Sequence, residues 1–160
     1  KKRYKCANRM PWYGVPIVKK GGVVFFKRYG QLPRLYINEA DVHTTDAGYH
    51  IRLKDDYDKA SFVFCFYNSM TLAQCEYNGR YYGGGVRELV PSEFKSITIP
   101  YEMIEERHID YLNKLFQRKA PIEEVVTFVN ARTIAKNMPT EEIERLEEIR
   151  VKLMKQRNVD

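Results

Sequence analysis

One change of pattern, at Pro100, limits the folds open to this chain more than any other feature. Before it, short runs rich in Val, Ile, Phe and Tyr are cut by Gly and Pro, as in strands and turns. After it, apolar side chains recur every three or four residues among charged ones, as in helices. The reading is an α+β fold: a small twisted mixed or antiparallel β region with short helices over 1–100, then a C-terminal helical segment over 101–160. The 160 residues, 44% of them hydrophobic, suffice for one core. No run reaches the ~20 apolar residues that span a bilayer, and the basic start leads into Met10-Pro11-Trp12 rather than an apolar leader. A soluble, cytoplasmic protein with no membrane partner is expected. Because the chain opens on Lys1 and not methionine, it is read as cut from a longer protein.

Strands are expected at Val15 to Val18, Val23 to Arg28, Leu35 to Asn38, Gly48 to Leu53 and Phe94 to Ile99. Gly21-Gly22, just after Lys19-Lys20, reads as a hairpin with a basic tip, and Gly30-Gln31-Leu32-Pro33 turns the chain back. The run Ser61 to Tyr67 has strand propensity, yet Asp58 as N-cap and the apolar density also suit a buried helix. Asn68 or Ser69 caps a helix from Met70 to Tyr77, with Asn78-Gly79 as a left-handed stop. Beyond Pro100, helices are expected from Tyr101 to Lys119 and from Pro121, in the first turn, to Lys136. A third begins at a Thr140 cap and carries Ile143, Leu146, Ile149, Leu153 and Met154 on one face.

Charge is distributed unevenly. Residues 1–38 hold ten Lys and Arg and no acid; through residue 100 the count is sixteen basic against nine acidic, and in 101–160 eleven against twelve. A basic excess confined to one part suits a polyanion, since cations near phosphates release condensed counterions; a solvated basic face is the alternative. Three adjacent glycines, Gly83-Gly84-Gly85, permit positive φ and close approach of the backbone to something else. Arg80, Tyr81, Tyr82 and Arg87 flank them with charge, hydroxyls and stacking faces, the mix found where backbone meets nucleic acid. The glycines lack the spacing of a dinucleotide fold or a Walker loop. Trp12, near Arg9 and between Pro11 and Pro16, either packs in the core or makes an exposed contact. Lys27, Arg28 and Arg34 surround a turn, where a guanidinium can read guanine or pair with an acid.

Chemistry-bearing constellations are thin. His43, His50 and His108 are scattered, and Asp55, Asp56 and Asp58 lack the glycine and distal glutamate of a calcium loop, so a solvated turn is expected there. Cys6, Cys65 and Cys75 are odd in number and show no metal spacing, which leaves buried free thiols. No catalytic residue and no metal site is expected.

The block Tyr67-Asn68-Ser69-Met70-Thr71-Leu72, continued by Glu76, Gly79-Arg80, Tyr82-Gly83-Gly84-Gly85-Val86, Glu88-Leu89, Pro91-Ser92 and Ile97 to Pro100, resembles a known family. It is similar to the C-terminal, target-recognition region of adenine-specific DNA methyltransferases of restriction-modification systems, the TaqI-methylase-like class. Arg9-x-Pro11-Trp12-Tyr13, Pro33 to Asn38 and the helical end Glu142 to Arg157 fit the same pattern, so the resemblance covers most of the chain. It implies a prokaryotic protein whose catalytic methyltransferase domain lies in the same parent chain, carries Asn-Pro-Pro-Tyr and binds S-adenosylmethionine. This stretch has neither that motif nor the cofactor loop, so it is expected to hold no cofactor and not to methylate alone. The resemblance also implies a helix over Asp58 to Asn68 and double-stranded DNA as partner, gripped while a base is flipped. The DNA contacts expected are Arg9, Trp12, Lys19, Lys20, Lys27, Arg28, Arg34, Asn38, Arg80, Tyr81, Tyr82, Gly84 and Arg87. Within this set Arg28 and Arg34 are assigned to base reading, and Lys19, Lys20 and Arg80 to phosphate. A type I specificity subunit, a single-strand or RNA-binding module, and a partner-docking piece held by its C-terminal helices are the competing readings.

Overall fold

A computed structural model describes residues 3–14 and 18–156. Of the expected strand Val15 to Val18 only Val18 falls among them, and it is exposed and belongs to no strand. A one-turn helix, α1 (Tyr4–Ala7), leads to the β region: β1 (Val23–Phe26), β2 (Arg28–Tyr29), β3 (Leu35–Ile37) and β4 (Gly48–Ile51). Next come α2 (Lys59–Cys65), α3 (Ser69–Asn78), β5 (Arg80–Tyr81), β6 (Arg87–Glu88) and α4 (Pro91–Lys95). The chain closes with α5 (Glu106–Gln117), α6 (Ile122–Asn130), a 3-10 turn at Ile134–Lys136 and α7 (Thr140–Gln156). The fold is α+β, with antiparallel strands and a helical C-terminal segment.

The strands form two three-stranded sheets, ordered β3-β1-β4 and β2-β6-β5. The single strand expected from Val23 to Arg28 is therefore divided. Lys27 is the pivot: its N–H donates to the Ala47 carbonyl at 3.0 Å on the first sheet's side, and its carbonyl accepts from Leu89 N–H at 2.9 Å on the second's. Both edges of β1 are taken, by β3 and by β4, so Gly21-Gly22 is not a hairpin turn. Those glycines instead bring the backbone onto the end of β4, where a Cβ on Gly21 would stand 2.3 Å from the Ile51 carbonyl oxygen.

One core joins both halves of the sequence. Val23, Phe25, Leu35, Phe64, Phe66, Leu72 and Leu89 meet Leu112, Leu115, Val125 and Val129 from beyond Pro100. Phe25 is fully buried, stacked on Phe94 with centroids 4.4 Å apart and flanked by Tyr49 and Phe66.

Local caps decide the ambiguous segment. Asp58 Oδ1 accepts from Ser61 N–H at 2.7 Å, so 59–65 is a helix and not a strand. That bond is also the chief cause of the Asp58 carboxyl being held below its ordinary range. Asn68 does the same for α3, accepting from Thr71 N–H at 2.9 Å while its amide donates to the Cys65 carbonyl at 2.6 Å and to Thr71 Oγ1 at 2.8 Å. Ser69, beside it, is tied to Asn130 of α6 in both directions and to Glu147 of α7. The Asn-Ser motif is thus a structural joint at which three helices meet.

Other expectations need correction. Gly79 is extended (φ −71°, ψ 146°), not left-handed, because the chain runs straight into β5. Glycine is required there by space, since a Cβ would lie 2.6 Å from Arg87 Cδ. Phe94 to Ile99 is not a strand: Pro91 opens α4, and Glu93 accepts from Val90 N–H at 2.8 Å. Thr98 then finds side-chain partners on α3, with its N–H donating to Gln74 and its carbonyl accepting from Thr71, in place of a ladder. The helix expected from Tyr101 begins at Glu106, because Glu102 and Ile104 donate their amides to Cys65 Sγ and Ser61 Oγ of α2. Pro121 stands just before α6, and that helix ends at Asn130, where the backbone tightens through Thr133. Among the expected apolar face of α7, Ile149 is exposed, and the buried residue of that helix is Arg150.

Candidate nucleic-acid interface

The triple glycine forms the tip of a β-hairpin. β5 and β6 pair antiparallel with Arg80 opposite Glu88 and Tyr81 opposite Arg87. The strands are closed by Tyr82 N–H to the Val86 carbonyl (3.1 Å) and Val86 N–H to the Gly83 carbonyl (3.2 Å). Gly83, Gly84 and Gly85 have φ of 74°, 57° and 73°, a left-handed run that side chains with a Cβ disfavour. Around Gly83 and Gly84 a Cβ would meet nothing within 4 Å, so handedness and not crowding explains these glycines.

Alternation along the strands separates two faces. On one, Arg28, Glu88 and Arg80 lie side by side across the sheet. Glu88 Oε2 accepts from Arg28 Nε at 2.6 Å, Lys27 Nζ lies 3.7 Å from its other oxygen, and Arg80 Nε donates to Glu93 Oε1 at 2.6 Å. The Arg28 hydrogen bond, more than any other cause, holds the Glu88 carboxyl below its ordinary range, and the pairing raises Arg28 in turn. At Glu93 burial pushes upward, but Arg80 and the Val90 amide outweigh it and the net shift is down.

Both guanidiniums are gripped at Nε and remain exposed, at 64% and 58% of their side chains. Those bonds use Nε, so they do not occupy the terminal nitrogens, which an end-on bidentate contact uses. Tyr82 is exposed with Arg28 5.7 Å over its ring, while Tyr81, across from Arg87 on the other face, is also exposed.

The opposite face turns inward. Tyr29 and Arg87 are buried; Tyr29 donates to the Cys75 carbonyl, and Arg87 pairs with Glu76 at 3.1 Å and donates to the Gly79 carbonyl. Arg87, expected as a contact, is a structural cation. Glu76 also acts electrostatically on Arg150, which grips Glu147 at 2.5 and 2.9 Å. Arg87 and Arg150, both buried, are each met by a carboxylate, Glu76 and Glu147, as expected where a buried charge persists only if it is paired.

The remaining expected residues are dispersed. Asn38 is engaged within the fold, bonding Gly21 and Val42, and Lys20 pairs with Asp41 at 2.7 Å. Lys19 is exposed, its carbonyl accepting from Arg52. Arg34 lies over Phe116 of α5 at 5.1 Å, with no ion pair among the described residues and in a different cleft from the hairpin. Trp12 is 54% exposed, edge-on to Tyr13, and Arg9 is half-buried. Of the expected set the fold thus gathers Lys27, Arg28, Arg80, Tyr81, Tyr82 and Gly84 at one hairpin. The carboxylates that organise it, Glu88 and Glu93, escaped the sequence reading. Counting back from a glycine turn would have placed Glu88 opposite Arg80.

Other chemistry is sparse. Among the described residues no three His, Cys, Asp or Glu side chains come together as a metal would need. Cys65 and Cys75 are buried free thiols, and burial pushes Cys65 up to about 11, which makes it a poor nucleophile. The Cys6 side chain lies outside the described residues. No described helix is long and apolar enough to cross a membrane.

A sequence model of the family described as the C-terminal domain of the type II methyltransferase M.Eco57I matches residues 1–134. The chain belongs to that family. As a methyltransferase C-terminal domain it agrees with the broad resemblance seen in its Asn-Ser and Tyr-Gly-Gly-Gly segments, which the structure shows to be a helix joint and a hairpin tip. No curated protein and no solved structure matches it.

Proposed function

We propose that this methyltransferase C-terminal domain binds duplex DNA and selects the site, while a catalytic domain of the same chain uses S-adenosylmethionine to methylate an adenine in a prokaryotic restriction-modification system. The observation that carries this reading is the hairpin, whose outer face exposes Arg28, Arg80 and Tyr82 next to the Gly83–Gly85 tip, with Tyr81 exposed on the other face. A guanidinium held at Nε retains two terminal nitrogens in one plane, the geometry that reads guanine O6 and N7. We assign base reading to Arg28, and to Arg34 in its separate cleft, and phosphate contact to Arg80, Lys19 and Lys20. Adenine methylation requires the base to leave the stack, and a second domain gripping the duplex supplies the fixed frame for that motion.

The test is selection from a randomised duplex pool followed by affinity measurement. Arg28→Ala should relax preference at one position by about 1–3 kcal/mol, whereas Arg80→Ala should weaken all sequences alike. The reverse pattern overturns the two assignments. Equal affinity for every sequence removes site selection, and single strands outcompeting duplex would favour the tyrosines as base-stacking platforms instead.

A further inference from the structure

The Gly21-Gly22 pair closes three cationic segments on one another. With no Cβ at Gly21 the backbone reaches the end of β4, and with none at Gly22 the Lys59 side chain lies across it, its Cε 2.6 Å from where a Cβ would be. The result is an open cleft of about 410 Å³ between the approach to β1, the exit of β4 and the start of α2, lined by Lys20, Arg52, Lys54, Asp55, Tyr57 and Lys59. Arg52 is braced by its bond to the Lys19 carbonyl at 3.1 Å, and Lys54 by a turn in which its carbonyl accepts from Tyr57 N–H.

Lys54 and Lys59 are exposed and have no carboxylate within ion-pair distance among the described residues. Asp58, close in sequence, is engaged in capping α2, and Asp41 is engaged by Lys20, which leaves Asp55 as the acid lining the cleft. The cations come from separate segments and stay at the surface. That arrangement suits successive phosphates of an extended backbone and offers no enclosed pocket to a small anion.

We propose that Arg52, Lys54 and Lys59, with Lys20, form a track for the phosphodiester backbone of duplex DNA, distinct from the hairpin. The proposal rests on the reading of this domain as DNA-binding. Its test compares the Lys54→Gln/Lys59→Gln double variant with the unaltered chain on mixed-sequence duplexes, from roughly 50 to 200 mM salt. The double variant should keep its melting midpoint, bind every duplex more weakly, and show a log affinity against log salt slope shallower by about 0.9 for each phosphate no longer neutralised. Gly22→Ala, which displaces only the flexible end of Lys59, should reproduce the weakening seen with Lys59→Gln alone. If the unaltered chain binds DNA and the double variant matches it in affinity and slope, the track is wrong and the wider reading stands. Weakening confined to one sequence would make these residues base readers and also overturn it. Failure of the unaltered chain to bind duplex DNA would bring down the wider reading and the track together.

Discussion

The two sheets part at Lys27 and are built by different physics. The β3-β1-β4 sheet puts Val23, Phe25 and Leu35 into the core and is held by apolar burial. The β2-β6-β5 sheet has only short strands, and its outer face is held by Arg28–Glu88, Lys27–Glu88 and Arg80–Glu93. Apolar burial can fix a strand but leaves nothing for a polar partner to touch. These pairs, with Glu88 buried beneath its cations, orient the Arg28 and Arg80 guanidiniums while keeping them in reach of solvent. The first sheet is scaffold and the second presents chemistry.

Three measurements would break or sharpen that contrast. The largest effect is expected from Phe25→Ala, which empties a fully buried site between Phe94, Tyr49 and Phe66 and should cost about 3–5 kcal/mol in denaturant unfolding. A cost below about 1 kcal/mol would show that the first sheet is not the scaffold. Gly84→Ala places a Cβ at φ 57° and should cost about 1–2 kcal/mol, felt as faster amide exchange at Tyr82 and Val86 rather than across the core. Unchanged exchange would mean that the tip tolerates another handedness.

The smallest effect is acid-dependent. Glu88 is held below its ordinary range, chiefly by Arg28, so the support it lends the second sheet is complete above the unfolded-state value of about 4.3 and fades as pH falls through the lower folded value. Protection of the β6 amides, taken relative to the intrinsic exchange rate at each pH, should therefore fall as pH drops below the ordinary carboxylate range, and Glu88→Gln should remove that dependence. The same acid response in the variant would assign the loosening to other groups.

Features governed by near neighbours were legible. The Asn68 cap acts over three residues, so the start of α3 could be read from side chains alone, whereas Asp58 offered α2 the same cap but the strand propensity of Ser61 to Tyr67 left helix and strand both open. The glycine triplet was also legible as exceptional, and the positive φ expected of it is present at all three positions. The break at Lys27 was not legible, because Val23 to Tyr29 has continuous strand propensity and the switch is made by Ala47 and Leu89, which are distant in sequence. Phe94 to Ile99 misled for a related reason: its apolar spacing suits a strand, but Pro91 and the α3 side chains took the backbone elsewhere.

By itself the sequence determined the class of fold, the α3 cap, the exceptional glycine triplet and a basic N-terminal part with ten cations and no acid in its first 38 residues. Only the tertiary structure decided what each cation does. It tied Arg28 to Glu88, sixty residues away, sent Arg87 inward to Glu76, and left Lys54 and Lys59 facing solvent. Composition sets how many charges a chain has, whereas a charge's role depends on its depth and its partners, and those are known only when distant segments have met.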